Sequence, residues 1–284
     1  MSLPLKKVVQ YVTKQKHLKR YDLCREDIPV STFHRWLNNS NIDLINLETL
    51  LSRLHLTWSE FNYLLHYDQE KLTYNLQNEI ILAYQKRQLE RLEAFQKICY
   101  KYEQHYINDN FLHLNNLITI FIADLTKKDY PNYEDLPLIQ YLLSNDFWTN
   151  YEFSFVNHIL VIIPFALAEK LYQKIKQQEL ERNHFLYKQY LRLDINFAFA
   201  AIYHRELSLA KKIIQKLERA KIPETYLFDK ITIHLLLLVW RYIIQPGYYN
   251  RKAITEYLKI IKELNCPNLY KILYHLTNFV FREY

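Results

Sequence analysis

Glycine is almost missing: Gly247 is the single one in a chain of 284 residues, where average usage of ~7% would give about 20. Phosphate-cradling loops, dinucleotide fingerprints and the G-x-S-x-G nucleophile elbow all need the close approach or positive φ that glycine supplies. A P-loop, a Rossmann-type nucleotide site and an esterase elbow are therefore excluded. The surplus of Ile, Lys, Asn, Tyr and Phe also fits an AT-rich genome, but the consequence for phosphate loops is the same.

Cysteine is scarce as well. Cys24, Cys99 and Cys266 are widely spaced with no C-x-x-C, which reads as reduced, mostly buried thiols in a cytosolic protein. Long apolar runs are absent. The greasiest stretch, Ile231 to Ile244, is broken by His234 and Arg241 and falls short of the ~20 residues of a membrane span, so it reads as a buried core helix. Lys6-Lys7 is not followed by an apolar signal region, and no membrane association is expected. The Asn38-Asn-Ser40 sequon carries no weight in a protein that is not secreted.

Chemistry-bearing constellations are missing too. None of the 11 histidines pairs at i, i+4 with a carboxylate helper, and no H-E-x-x-H occurs. Glu179, Glu181, Glu206, Glu218 and Glu224 sit on charged, solvent-type faces. No catalytic residue, metal or cofactor is expected, and the chain does not read as an enzyme.

Half the residues are hydrophobic and 15% are aromatic, including 25 tyrosines, so a substantial core is available in one large or two ordinary domains. The net charge of +7 favours an acidic partner. Seven basic residues stand against one acid, Asp22, in the first 25 residues, which raises the prospect of a nucleic-acid partner.

Apolar residues recur at spacings of three and four (Leu5, Val8, Val9, Val12; Leu47, Leu50, Leu51, Leu54; Tyr257, Leu258, Ile261, Leu264), and period-two alternation is rare. The fold class is all-α. Proline and Asn/Asp supply the punctuation, as at Asp129-Tyr-Pro-Asn132, Ile222-Pro223 and Gln245-Pro-Gly247. The spacing predicts an N-terminal domain over 1–66, a hinge at 67–72 and a helical domain over 73–284. Helices are predicted over 73–105, 110–126, 134–145, 148–178 (bent at Pro164), 183–203, 205–220, 223–244, 250–265 and 268–281. Helices of this length with short turns suggest a tetratricopeptide-like (TPR-like) solenoid.

The N-terminal domain reads as five helices in the lambda-repressor-like helix-turn-helix arrangement, over Leu3–Lys16, Leu18–Cys24, Val30–Asn38, Leu44–Leu54 and Ser59–His66. On the third, Phe33, Trp36 and Leu37 share a core face. Ser31, Thr32, Arg35 and Asn38 face outward, where a recognition helix touches base edges. Arg35 suits bidentate contact with guanine, worth roughly 1–3 kcal/mol of discrimination. Lys6, Lys7, Lys14, Lys16, Lys19, Arg20 and Arg53 are candidate phosphate contacts.

The run Ile28-Pro-Val-Ser-Thr-Phe-His-Arg-Trp-Leu-Asn-Asn39, followed by Leu47-x-x-Leu-Leu-x-x-Leu-x-Leu-Thr-x-x-Glu-Phe61, resembles the N-terminal domain of the Rgg/GadR/MutR family of transcriptional regulators. Tyr141-Leu-Leu-Ser-Asn-Asp-Phe-Trp-Thr-Asn-Tyr-Glu152 is similar to that family's L-x-x-[ID]-x-W-x-x-[YF]-E segment, and Asp194-Ile-Asn196 to a recurring I-L-x-N helix. The resemblance implies a cytosolic, homodimeric bacterial regulator with an N-terminal helix-turn-helix, whose TPR-like C-terminal domain binds a short peptide pheromone in its concave face. It implies base reading by Ser31, Thr32 and Arg35, and a peptide groove near Trp148, Asn157 and Asn196. Tyr151, Tyr187, Tyr190 and Tyr203 are further candidates for an amphipathic groove. Where the family pattern reads S-R-F-E-x-G, this chain has His34-Arg-Trp-Leu-Asn-Asn39, and Pro29 replaces the opening serine. Two readings stand. One is a peptide-responsive regulator on two-fold symmetric double-stranded promoter DNA. The other is a helical-repeat interaction protein whose degenerate helix-turn-helix binds no specific DNA.

Overall fold

The computed structural model describes residues 5–24, 28–39, 42–65, 70–104, 109–128, 132–178 and 186–284. The side chains of Leu5, Arg20, residues 70–75, Asn39 and Gln178 also lie outside that description, as do Asp27, Glu179 and Glu181 entirely. No strand occurs among the described residues. The chain divides into two compact units, Met1–Ile81 and Leu82–Tyr284.

Unit 1 holds α1 (Leu5–Gln15), α2 (Arg20–Leu23), α3 (Val30–Asn39), α4 (Leu44–Arg53) and α5 (Trp58–Leu65), and the division falls within α6 (Glu70–Gln85). Val8, Val9, Val12, Leu23, Ile28, Phe33, Trp36, Leu37, Leu50, Leu51, Leu54 and Phe61 form one buried cluster. Helices α1, α3, α4 and α5 thus each give apolar residues to one core, joined by Leu23 of α2 and by Ile28. Asp43 caps α4 through the N–H of Asn46 at 2.9 Å. Thr57 and Glu60 form a capping box at α5, with Thr57 N–H donating to Glu60 at 2.7 Å and Glu60 N–H donating to the Thr57 hydroxyl at 3.2 Å.

Unit 2 continues with α7 (Leu89–Glu103), α8 (Asn110–Thr126), α9 (Pro137–Ser144), α10 (Asn150–Ile159), α11 (Phe165–Gln178), α12 (Tyr187–Tyr203), α13 (Leu207–Arg219), α14 (Leu227–Ile244), α15 (Tyr248–Glu263) and α16 (Pro267–Glu283). Helices α8, α10, α12, α14 and α16 form one layer whose successive members pack on each other; in the other layer only α9 and α11 do so closely. Closer spacing marks the first layer as the inner side of a curved stack of antiparallel hairpins, the arrangement of TPR-like solenoids.

The single helix predicted over 73–105 is two helices, α6 and α7, broken where Arg87 adopts φ 56°. The helix predicted over 148–178 is likewise two, α10 and α11, because Pro164 cannot continue α10. With glycine nearly absent, the left-handed residues that end helices are His17, His55, Arg87, Lys127, Arg205 and Asn265. Gly247 itself is extended. Among the described residues no cysteine forms a disulfide, but Cys24 is half-buried and Cys266 exposed, so only Cys99 fits the expectation of a buried thiol. Burial pushes the Cys99 thiol up to about 12.

Candidate functional site

Two surfaces merit description, one in each unit. On α3, burial of Phe33 (4% exposed), Trp36 (5%) and Leu37 (9%) fixes the rotation of the helix. Ser31, Arg35 and Asn38 are then exposed and Thr32 half-buried. Leu37, where the family pattern has an acid, is therefore a core residue. Lys6 on α1 donates to the Asn38 side chain at 3.1 Å, placing a cation beside the exposed face. Lys7, Lys14 and Lys19 are exposed.

Lys16 and Arg53 are engaged within the fold. The Lys16 ammonium donates to the carbonyls of Leu54 and His55, both at 2.8 Å, closing the C-terminal end of α4. The Arg53 guanidinium donates to the Leu23 carbonyl at 2.8 Å and ties α4 to the end of α2. Both lysine and arginine side chains satisfy helix-end carbonyls that would otherwise lack partners.

In unit 2 the aromatic and acidic residues of the 141–152 segment do structural work. Trp148 is 3% exposed and packs on Phe153, 5.7 Å between ring centroids. Thr149 caps α10 and Glu152 closes the capping box, its carboxylate accepting from the Thr149 N–H at 2.7 Å and hydroxyl at 2.6 Å. The Tyr141 hydroxyl donates to the same carboxylate. Burial alone would raise the Glu152 pKa, but the bonds from Thr149 and Tyr141 outweigh it and hold the carboxyl below its usual range. Tyr190, 8% exposed, meets Phe153 edge-on at 5.1 Å. Trp148 and Tyr190 thus lie in the core, not on an open wall. Tyr151 shares a 2.7 Å hydrogen bond with His113 Nδ1. Tyr187 reaches the Lys221 carbonyl at 3.4 Å. Half-buried Tyr203 packs on Phe279 at 4.6 Å.

Asn157 and Asn196 do meet. The Asn196 amide nitrogen donates to the Asn157 carbonyl at 2.9 Å and contacts its side-chain oxygen at 3.3 Å. Gln189 extends this row, with its amide nitrogen donating to Asn150 at 2.9 Å and its oxygen accepting from Asn157 at 3.5 Å. The inner faces of α10 and α12 therefore carry a ladder of side-chain amides, exposed at Asn150 and half-buried at Asn157, Gln189 and Asn196. The opposite face of α12 points into the second layer. There, Asp194, 3% exposed, accepts from Tyr172 at 2.8 Å and Lys216 at 2.9 Å, with Lys176 at 3.3 Å. Two cations and a hydroxyl compensate the buried carboxylate and lock α11, α12 and α13 together.

Arg192, His158 and Asp229 complete the inner face, and periodicity alone singled out none of them. Arg192 lies between α10 and α14. Its Nε donates to Asp229 at 3.1 Å, while burial and the nearby Arg192 charge push His158 down to about 4. The signal available in the sequence was the stripe Lys188, Arg192, Asn196 at successive i, i+4 positions of one helix. Among the described residues no cluster of three or more His, Cys, Asp or Glu could hold a metal, and no helix is long and apolar enough to cross a membrane.

The fold has known counterparts. The SHP pheromone receptor Rgg2 of Streptococcus dysgalactiae matches with TM-score 0.71 and 18% identity over 99% of this chain and 100% of that one. A protein of Listeria monocytogenes EGD-e matches with TM-score 0.76 and 13% identity over 100% and 99%. The PrgX/cCF10 complex matches with TM-score 0.69 and 13% identity over 99% and 93%. At these identities the likeness is one of fold. The family model described as the C-terminal domain of the HTH-type transcriptional regulator Rgg matches residues 92–274, which is more than half of the chain. The chain belongs to the Rgg family of helix-turn-helix transcriptional regulators.

Proposed function

We propose that this chain is a cytoplasmic, homodimeric regulator that reads a two-fold symmetric promoter site through α3 and responds to a short peptide on the inner face of unit 2. The observation that carries the reading is the outward face of α3. Ser31, Arg35 and Asn38 are exposed over a fully formed core, with Lys6 bonded to Asn38 and Lys7 and Lys14 exposed on α1. A helix that presents a bidentate donor and small polar groups, flanked by cations, suits base edges and phosphates together. A dimer presenting two such helices reads half-sites about one helical turn apart.

The amide ladder on α10 and α12 supports the peptide half of the proposal. An extended peptide needs donors and acceptors for its backbone, and Asn and Gln offer both. The matched Rgg2 is named as a pheromone receptor, and PrgX was solved in complex with cCF10.

An electrophoretic shift of DNA from upstream of the protein's own gene, with Arg35→Ala beside the wild type, tests the reading. Specific retardation that Arg35→Ala abolishes supports it. The rival reading is a helical-repeat interaction module with a degenerate helix-turn-helix. It draws on the commitment of Lys16 and Arg53 to internal carbonyls, and it predicts weak, sequence-blind retardation that Arg35→Ala leaves unchanged.

A further inference from the structure

The inner face of unit 2 carries one guanidinium whose geometry leaves a binding edge free. Arg192 is 39% exposed at its side chain, while its partner Asp229 is 1% exposed. The contact uses only Nε, at 3.1 Å from Asp229 Oδ1. A guanidinium held through Nε by a buried carboxylate keeps its terminal Nη fork for another acceptor, in the planar geometry that matches a carboxylate. Phe228 lies 6.0 Å from the guanidinium carbon and backs the group with an aromatic ring.

The surroundings favour an anion over a cation. Lys188, one turn from Arg192 on the same face of α12, sits 5.1 Å over the Tyr226 ring. Two cations thus stand against one buried carboxylate. His158, facing Arg192 from α10, adds no negative charge. One turn beyond Arg192 lies Asn196, the end of the amide ladder, so the fork and the backbone-binding groups share one face and one line.

We propose that the groove takes a peptide bearing a carboxylate, and that the Arg192 fork seats that carboxylate while the Asn157–Asn196 pair holds the neighbouring main chain. The proposal rests on the reading of this face as a peptide site, and it adds the chemistry of the ligand. The carboxylate has two sources, an acidic side chain or the free C-terminus.

A positional-scanning library of synthetic octapeptides separates these sources. Each position is fixed in turn as Asp or as Asn, and each pool is made with a free and an amidated C-terminus. Binding to the full-length chain is followed by the rise in melting temperature and by competition for a fluorescent pool member. The expected result is a preference of roughly tenfold or more for pools with the carboxylate at one site, Asp over Asn or free acid over amide. Arg192→Lys, which keeps the charge but loses the fork, should shrink that preference. The double variant Arg192→Gln/Asp229→Asn, which leaves no buried charge unpaired, should remove it while amide-pool binding persists. Binding without any carboxylate preference, or a preference unchanged in both variants, overturns this proposal and leaves the peptide site standing. No binding by any pool overturns both.

Discussion

The side-chain amide of Asn196 on α12 donates to the backbone carbonyl of Asn157 on α10, at 2.9 Å. With the Gln189 bonds to Asn150 and Asn157, it ties together two neighbouring inner helices. It also fixes one residue of the amide ladder in place, beside the Arg192 fork. Two positions within this contact tie packing to the face on which a peptide is proposed to lie.

The capping box at Thr149 and Glu152 should be a measurable part of the stability of unit 2. Thr149→Ala should lower the unfolding free energy by roughly 1 kcal/mol. Glu152→Ala should cost about 2 kcal/mol, because it also strands the Tyr141 hydroxyl. Urea denaturation measures both. Effects within error at both positions would show that the motif acts outside folding.

Stability should fall on mild acidification because of His158. Its folded pKa of about 4 lies below the ordinary 6.5, so the unfolded chain takes up a proton that the folded chain refuses. The stabilisation of the neutral ring is complete above about 6.5 and is lost progressively as pH falls towards 4. His113, also lowered by burial, titrates in the same sense. His158→Gln should flatten the profile between these limits by roughly 3 kcal/mol, without removing the slope entirely. Thermal melts at stepped pH provide the measurement, and superimposable profiles would contradict the assignment.

Helix ends that lack glycine leave room for improvement. His55 has φ 51° at the end of α4, where its backbone N–H donates to the Ser52 carbonyl at 3.0 Å and its carbonyl accepts from Lys16 at 2.8 Å, bonds that a glycine backbone keeps. His55→Gly should stabilise the protein by about 0.5–1 kcal/mol, relief of left-handed strain exceeding the added chain entropy. Arg87, at φ 56°, should behave alike. A lower melting temperature for both variants would count against a strain-based account.

Much of unit 1 could be read from residue types alone. Phe33, Trp36 and Leu37 share a face because of their spacing, and their burial turns Ser31, Arg35 and Asn38 outward. Thr57 and Glu60 announce the start of α5 in the same local way. What escaped the sequence has non-local causes or lacks the usual residue. Arg87 breaks a helix in a conformation normally marked by glycine. Arg192 finds Asp229 across 37 positions, and no periodicity reports that pairing. Trp148 and Tyr190, amphipathic enough for a groove wall, close around Phe153 in the core. Lys16 and Arg53 have the charge of phosphate contacts, yet reach carbonyls at the ends of neighbouring helices.

The most direct test of the account is fluorescence anisotropy of the full-length protein on its own upstream DNA and on a scrambled duplex, at several salt concentrations, with Arg35→Ala and Lys14→Ala alongside. The wild type should prefer its own site. Arg35→Ala should lose about 1–3 kcal/mol of that preference while keeping the salt slope, and Lys14→Ala should keep the preference while the slope falls by about one. Equal affinity of the wild type for both duplexes, unmoved by Arg35→Ala, would contradict the claim that α3 reads DNA.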